Sequence, residues 1–212
     1  YLDDVIIFGK TFEEHLERLN GVLTRIKDAG LKLKPPKCQF FQSEVAFLGH
    51  IISGDGVLPN PANVEKLLRW PRPTTITEVR GILGLGSYYR RFVKDFSKMV
   101  HPLTQLTKKE TEFTWTPACE NAFLRLKQVL AGPEIMGYPQ DHGTYILDTD
   151  ACDVSIGAVL SQVQDGQERV IAYSSKTLNK TKRNYCVTDR ELLAMKVLLS
   201  YINITCSEDP LL

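Results

Sequence analysis

Two adjacent carboxylates framed by strand-forming apolar residues open the sequence, in the run Tyr1-Leu2-Asp3-Asp4-Val5-Ile6-Ile7-Phe8. Holding such charge at the edge of an apolar core is costly unless a cation compensates it. Divalent metal ions are the natural compensators, because in phosphoryl and nucleotidyl transfer two of them, ~3.5–4 Å apart, activate the attacking oxygen and stabilise the leaving one. The competing reading is a solvated Asp-Asp turn with no chemistry. A second carboxylate-rich run, Leu147-Asp148-Thr149-Asp150-Ala151-Cys152-Asp153, stands before Gly157-Ala158-Val159-Leu160-Ser161-Gln162. Between the two acidic runs lies the opposite charge. From Lys66 to Lys98 there are eight Lys or Arg (Lys66, Arg69, Arg72, Arg80, Arg90, Arg91, Lys94 and Lys98) against Glu78 and Asp95 alone. Such a stripe suits phosphate contacts, although a solvated basic face over core tyrosines, Tyr88 and Tyr89, accounts for it equally.

These groups need elements to hold them. Tyr1 to Phe8 reads as a buried strand ended by Gly9. Thr11-Phe12-Glu13-Glu14 is a capping box, and Phe12, Leu16, Leu19, Leu23 and Ile26 recur at helical spacing until Gly30 stops the helix. Residues 31–33, 39–41 and 45–52 read as short strands or extended pieces, interrupted by Pro35-Pro36, with Gly54-Asp55-Gly56 as the turn where the first sheet ends. Asn60-Pro61 caps a helix to about Trp70, Pro71 and Pro73 break it, and Thr75-Ile76-Thr77-Glu78 opens another to about Phe92. Gly84-Leu85-Gly86 falls inside that helix, which favours close packing over a phosphate loop. Thr116-Pro117 starts a helix carrying Ala122, Phe123, Leu126, Val129 and Leu130, stopped near Gly132-Pro133. The period then changes to strands at 144–149, 156–162 and 170–174, followed by a helix from Thr188 to about Tyr201. Thr188-Asp189-Arg190-Glu191 would be its capping box, which gives Glu191 a purely structural reading.

With 43% hydrophobic and 24% charged residues in 212, the composition is globular, and disorder is not the default expectation. No apolar run approaches the ~20 residues a bilayer demands, and no secretory signal opens the sequence, so the expectation is a soluble, intracellular and not secreted protein. Five scattered cysteines without a C-x-x-C argue against a disulfide framework and a zinc site. His15, His50, His101 and His142 are too dispersed for a metal cluster or a relay. The net charge of +1 by itself points to no polyanionic partner.

The run Tyr1 to Lys10, leading straight into the helix with His15-Leu16, resembles the Tyr-X-Asp-Asp catalytic hairpin of reverse transcriptases, specifically those of gypsy-type (Metaviridae) LTR retrotransposon pol polyproteins. Leu31-Lys32-Leu33-Lys34, Phe47-Leu48-Gly49-His50, Trp70-Pro71, Leu83-Gly84-Leu85, Tyr88-Tyr89-Arg90-Arg91-Phe92, Pro102-Leu103, Trp115, Cys119 and Ala122-Phe123 follow in that family's order. The resemblance implies an α+β architecture: a partial reverse-transcriptase palm (residues 1–54), a helical, basic thumb (55–112), and a connecting helix with the N-terminal half of an RNase H-like α/β fold (113–212). It implies that Asp3 and Asp4 are two of three polymerase carboxylates, the third lying on a strand upstream of this sequence. Phe47, Leu48, Gly49 and His50 would lie at the hairpin that positions the primer end, and Arg80, Tyr88, Tyr89, Arg90, Arg91 and Lys94 would grip nucleic acid.

The second acidic run resembles the first hairpin of the family's RNase H domain, which makes Asp150 its first metal ligand and leaves Asp148 and Asp153 as edge carboxylates. Tyr185, Arg190 and Glu191-Leu192-Leu193-Ala194 match the following helix, with Glu191 as the second ligand. Mg²⁺, with Mn²⁺ as a substitute, would be the cofactor. RNA template, DNA primer and RNA/DNA hybrid would be the partners, with no membrane and no small-molecule cofactor. Beyond Tyr201 the sequence departs from the family, and the aspartates its motif needs further downstream do not occur. The expectation is a fragment of an RNA-directed DNA polymerase with RNase H, inactive by itself. The alternative is a decayed or domesticated remnant that binds nucleic acid without catalysis.

Overall fold

The computed structural model describes residues 4–109 and 111–205, and among these it builds an α+β protein from eight α-helices and two antiparallel three-stranded sheets. Helix α1 (Phe12–Asp28) starts at its expected N-cap, with the box's glutamate reaching one residue further back than the N-cap. Thr11 accepts from the Glu14 N–H at 3.2 Å, and the Glu14 carboxylate accepts from the Lys10 N–H at 2.6 Å. Of its apolar stripe only Leu19 is buried, while Phe12 and Leu16 stay exposed because no layer of the described residues covers them. The strand expected over Tyr1 to Phe8 is not formed in its described part, residues 4–8. A strand needs a hydrogen-bonding neighbour, and among the described residues no strand pairs with this segment, whose Phe8 carbonyl accepts instead from Arg18 of α1. Residues 31–33 and 39–41 are likewise irregular, and Pro35–Lys37 takes a short 3-10 turn instead, its two prolines lacking the N–H a ladder needs.

The first sheet is a meander of β1 (Glu44–Phe47), β2 (His50–Ser53) and β3 (Gly56–Pro59), so it runs past the expected closing turn. Leu48 and Gly49 join β1 to β2 with φ of 44° and 72°, the pair of positive values that a tight hairpin of matching twist demands. Helices α2 (Pro61–Leu68) and α3 (Ile76–Tyr88) follow, capped by Asn60 and Thr75 as expected. The chain then breaks into a 3-10 turn at Arg90–Phe92, α4 (Phe96–Met99) and α5 (His101–Leu106), the left-handed Asp95 (φ 52°) separating the first two. Helix α6 (Pro117–Ala131) completes the helical layer. Its core of Leu67, Val79, Ile82, Phe92, Leu103, Leu126 and Leu130 also takes in Val57 of β3 and Val170 and Tyr173 of the second sheet.

That second sheet, β4 (Tyr145–Ala151), β5 (Ser155–Gln164) and β6 (Gln167–Thr177), is followed by α7 (Lys180–Arg183) and α8 (Val187–Thr205). Leu147 and Ala151 of β4 pack with Ile156 and Ala158 of β5 and with Leu193, Ala194 and Val197 of α8. Helix α8 begins one residue before Thr188. The Cys186 thiol accepts from the Asp189 N–H at 3.4 Å and its carbonyl from Arg190 at 3.0 Å, so the expected Thr188–Glu191 box does not form. Residues 136–138 stitch the sheets together. Val57 and Met136 exchange both backbone hydrogen bonds (2.9 and 3.1 Å), and Gly137 donates to Val170 O at 2.8 Å. Gly56 (φ 141°) sits where a Cβ would collide with the Met136 carbonyl.

Candidate nucleic-acid interface and carboxylate sites

The Phe47-Leu48-Gly49-His50 hairpin is held from outside itself. The Tyr88 hydroxyl donates to Leu48 O, and the Tyr89 hydroxyl donates to Gly49 O at 2.8 Å, a carbonyl that also accepts from the Asn60 N–H at 2.9 Å. Asn63, on α2, donates through its side chain to the Tyr89 oxygen at 3.1 Å. His50 folds back so that Nδ1 lies 2.8 Å from Leu48 O; a carbonyl can only accept, so Nδ1 carries the proton. The imidazole rests among Tyr88, Tyr89 and Phe92, with ring centroids 5.3 to 5.6 Å away, and its Nε2 is buried with no partner among the described residues. Burial pushes the His50 pKa down, the Leu48 contact opposes that, and nearby Arg91 adds to the depression. Tyr89 is 1% exposed, so it packs rather than offering a stacking surface, whereas Tyr88 is 50% exposed and keeps one.

The basic residues divide by what they already touch. Arg80 donates to Thr107 O at 3.3 Å, fastening α3 to the end of α5. Arg90 donates to Ser175 O on β6, so part of its guanidinium is committed to joining the helical layer to the second sheet. Ser97 and Ser175, both buried, complete that contact through the Ser97 N–H to Ser175 Oγ (3.0 Å) and the paired hydroxyls (3.1 Å). Arg91 lies over the Phe92 ring at 5.8 Å, exposed at the surface but desolvated enough by its surroundings to lower its pKa, and the exposed Lys94 has no ion pair among the described residues. Arg91 and Lys94 are therefore, among the described residues, the cations of the expected grip that no backbone hydrogen bond or ion pair ties down.

The carboxylates are more scattered. Asp3 lies outside the described residues, and Asp4 is exposed on irregular backbone. Asp150 faces Gly157 across the β4–β5 ladder, which puts its side chain on the face opposite the one where Leu147 and Ala151 meet α8. Asp148 shares that outer face by alternation. Asp95, which the sequence had not singled out, stands over it too, so that a Cβ on Gly157 would strike the Asp95 carboxylate. Glu191 is exposed on the first turns of α8, freed from any capping role, next to Arg190, which pairs with Asp153 at 2.5 Å. Cys152 sits in the same turn; burial would raise its thiol pKa, but hydrogen bonds from Ser155 and Val154 and the nearby Lys98 charge lower it overall.

Oxygen donors of this kind suit hard divalent cations. Among the described residues, however, no group of three or more His, Cys, Asp or Glu side chains gathers into a metal site. Two carboxylates at most are assigned to each expected site, too few to close a coordination shell. No helix among the described residues is long and apolar enough to cross a membrane.

Comparison with known proteins places this geometry. Residues 115–206 match the family "RNase H-like domain found in reverse transcriptase". Residues 1–52 match "Reverse transcriptase (RNA-dependent DNA polymerase)". The Tf2-3 transposon polyprotein of Schizosaccharomyces pombe is 38% identical over 196 residues, 92% of this chain, and the Tf2-7 polyprotein is 37% identical over the same length. The chain spans about 15% of the length of these polyproteins. Two foamy viral protease-reverse transcriptase structures share its fold at 24% identity. One, the dRH form in complex with double-stranded DNA, has a TM-score of 0.79 over 94% of this chain and 36% of its own. The other, in complex with an RNA/DNA hybrid, scores 0.78 over 94% and 27%. A hairpin clasped to a basic helical layer and continued into an RNase H-like sheet, with these matches along its length, makes the chain a member of the pol polyprotein family of Ty3/gypsy-type LTR retrotransposons, in which it covers the end of the reverse transcriptase and an RNase H-like domain.

Proposed function

We propose that this chain supplies the primer-facing hairpin, the thumb and the RNase H-like portion of a retrotransposon reverse transcriptase, and that it grips a primed template by phosphate contacts. The observation that supports this most is the clasp of the β1–β2 turn against α3, with Arg91 close enough to act on His50 of that hairpin and the exposed Lys94 three residues further along the chain. In this reading residues 1–54 are palm, 55–112 thumb and 113–212 the connecting helix and RNase H-like domain. The turn contacts the primer strand, and the cations hold template and primer without reading sequence. RNA template, DNA primer and their hybrid are the partners, as the complexes of the foamy viral proteins with double-stranded DNA and RNA/DNA hybrid suggest.

The chemistry proposed for the parent polyprotein is nucleotidyl transfer at Asp3 and Asp4 and RNA strand hydrolysis at Asp150 and Glu191. Mg²⁺ would supply Lewis-acid activation at both. The contribution of this chain's own residues is to hold the strand in place; Asp150, on the outer face of β4, and Glu191, on the helix packed against the other face, are separate acceptor groups here and not one gathered ligand set. The second reading, a non-catalytic nucleic-acid-binding remnant, draws on the absence of a three-donor cluster among the described residues.

Salt dependence of binding tests the grip. Each phosphate contact contributes about −0.9 to the slope of log affinity against log salt for duplex DNA, so Arg91→Ala with Lys94→Ala should flatten it by about two. Arg90 is left in place because of its tie to Ser175. An unchanged slope in a folded double variant rules out the grip as assigned.

A further inference from the structure

We infer that Tyr88 and Tyr89 are positioning residues that set the polarity of the β1–β2 tip: by occupying its two carbonyl oxygens they leave it only amide donors to show a nucleic-acid strand. The inference rests on the proposed contact between this hairpin and the primer strand. A two-residue turn ordinarily shows solvent both N–H and C=O groups, and each carbonyl oxygen has two lone pairs. Here each of the two receives two donors. Leu48 O takes the Tyr88 hydroxyl and His50 Nδ1, and Gly49 O takes the Tyr89 hydroxyl and the Asn60 N–H. The N–H groups of Leu48 and Gly49 have no acceptor among the described residues.

A tip with saturated acceptors and free donors suits a phosphodiester oxygen, which only accepts, and removes the carbonyl dipoles that would repel it. Packing alone does not call for the hydroxyls. Phenylalanine would stack on His50 equally well, and the Tyr88 ring is half exposed, so its hydroxyl could be left to water. Asn63 donates to the Tyr89 oxygen and thereby steers the O–H toward Gly49. Gly49 (φ 72°) sits in a backbone conformation that strains any side chain, and a Cβ there would press on both tyrosines at 3.1 to 3.3 Å, close enough that they would have to give way. The tip is thus built against a specific pair of hydroxyls.

The test is binding of this chain to a labelled primer–template, with the last primer phosphodiesters either charged or replaced by neutral methylphosphonates. Wild-type protein should bind the neutralised primer about tenfold more weakly, as expected for loss of a charge-assisted contact. Tyr88→Phe should weaken binding to the charged primer about three- to tenfold and shrink the difference between the two primers, and Tyr88→Phe/Tyr89→Phe should shrink it further. A purely structural role would lower affinity for both primers alike. Tyr88→Phe exchanges a half-exposed side chain and keeps its ring, so it decides the matter if the double variant does not fold. Variants that discriminate between the primers as wild type does overturn the inference and leave the grip intact. A wild-type protein indifferent to neutralisation removes the primer-strand reading, and the inference with it.

Discussion

Burial of the His50 ring among aromatic neighbours depresses its pKa against the opposing pull of the Leu48 carbonyl, and Arg91 close by adds to the depression. The linkage sign follows from that depression. Between the lowered folded value and the ordinary 6.5 the unfolded chain binds the extra proton, so stability is full above 6.5 and is lost as pH falls through that window. His101 is depressed as well, by burial first and then by Arg183 and Lys108, and acts in the same direction. Urea midpoints followed from pH 7.5 to 5.5 should therefore fall, and His50→Phe should reduce the steepness of that fall without abolishing it. The string Phe47-Leu48-Gly49-His50 could be read in the sequence only through its resemblance to a family. The tyrosine hydroxyls that give it meaning arrive from 40 residues away, a pairing that no local period announces. Asn63 and Asp95 were invisible for the same reason: their partners are set by tertiary packing.

Two capping boxes of the same form, Thr75–Glu78 and Thr188–Glu191, came out differently, and the contrast shows what local pattern can fix. At α3 the cap forms: Thr75 Oγ1 accepts from the Glu78 N–H at 3.2 Å, and the Glu78 carboxylate reaches one residue past the N-cap to accept from the Thr74 N–H at 2.7 Å. At α8 Cys186 takes the first amides and the helix starts earlier. Thr75→Ala should cost about 1 kcal/mol in urea unfolding, a typical value for an N-cap, whereas Thr188→Ala should cost much less. The hydrogen bond from Thr74 holds the Glu78 carboxyl below its ordinary 4.5, so its contribution is present above that value and lost as pH falls through the lower folded one. Helices α1, α2, α3 and α6 were legible because apolar period and cap agreed. The opening strand was not, since apolar alternation shows that a segment can pair but not that a neighbour is there. The short α4 and α5 were missed because four to six residues carry too little period to separate from a loop.

The helical layer and the second sheet share one core, and this contradicts any picture of beads on a string. Val170 and Tyr173 of β6 pack against the helical core, and the Tyr173 hydroxyl donates to Glu134 at 3.0 Å, which together with burial raises its pKa to about 12. The Arg90 and Ser97 contacts to Ser175 lie at the same boundary. Ser97→Ala with Ser175→Ala should lower the melting temperature and split a single transition into two, as calorimetry would show; an unaltered single transition would mean that the apolar contacts suffice. The order of the parts was legible in the sequence, and their fusion was not, because the boundary residues are short polar side chains with no period of their own.

The serine and arginine clasp also has a metrical consequence. Fusion at this joint turns the distance from the Leu48-Gly49 tip to the Asp150 face of β4 into a fixed gauge, set by folded protein instead of by a swinging tether. In the proposed function, a strand laid along both would meet them at one constant offset, counted in nucleotides.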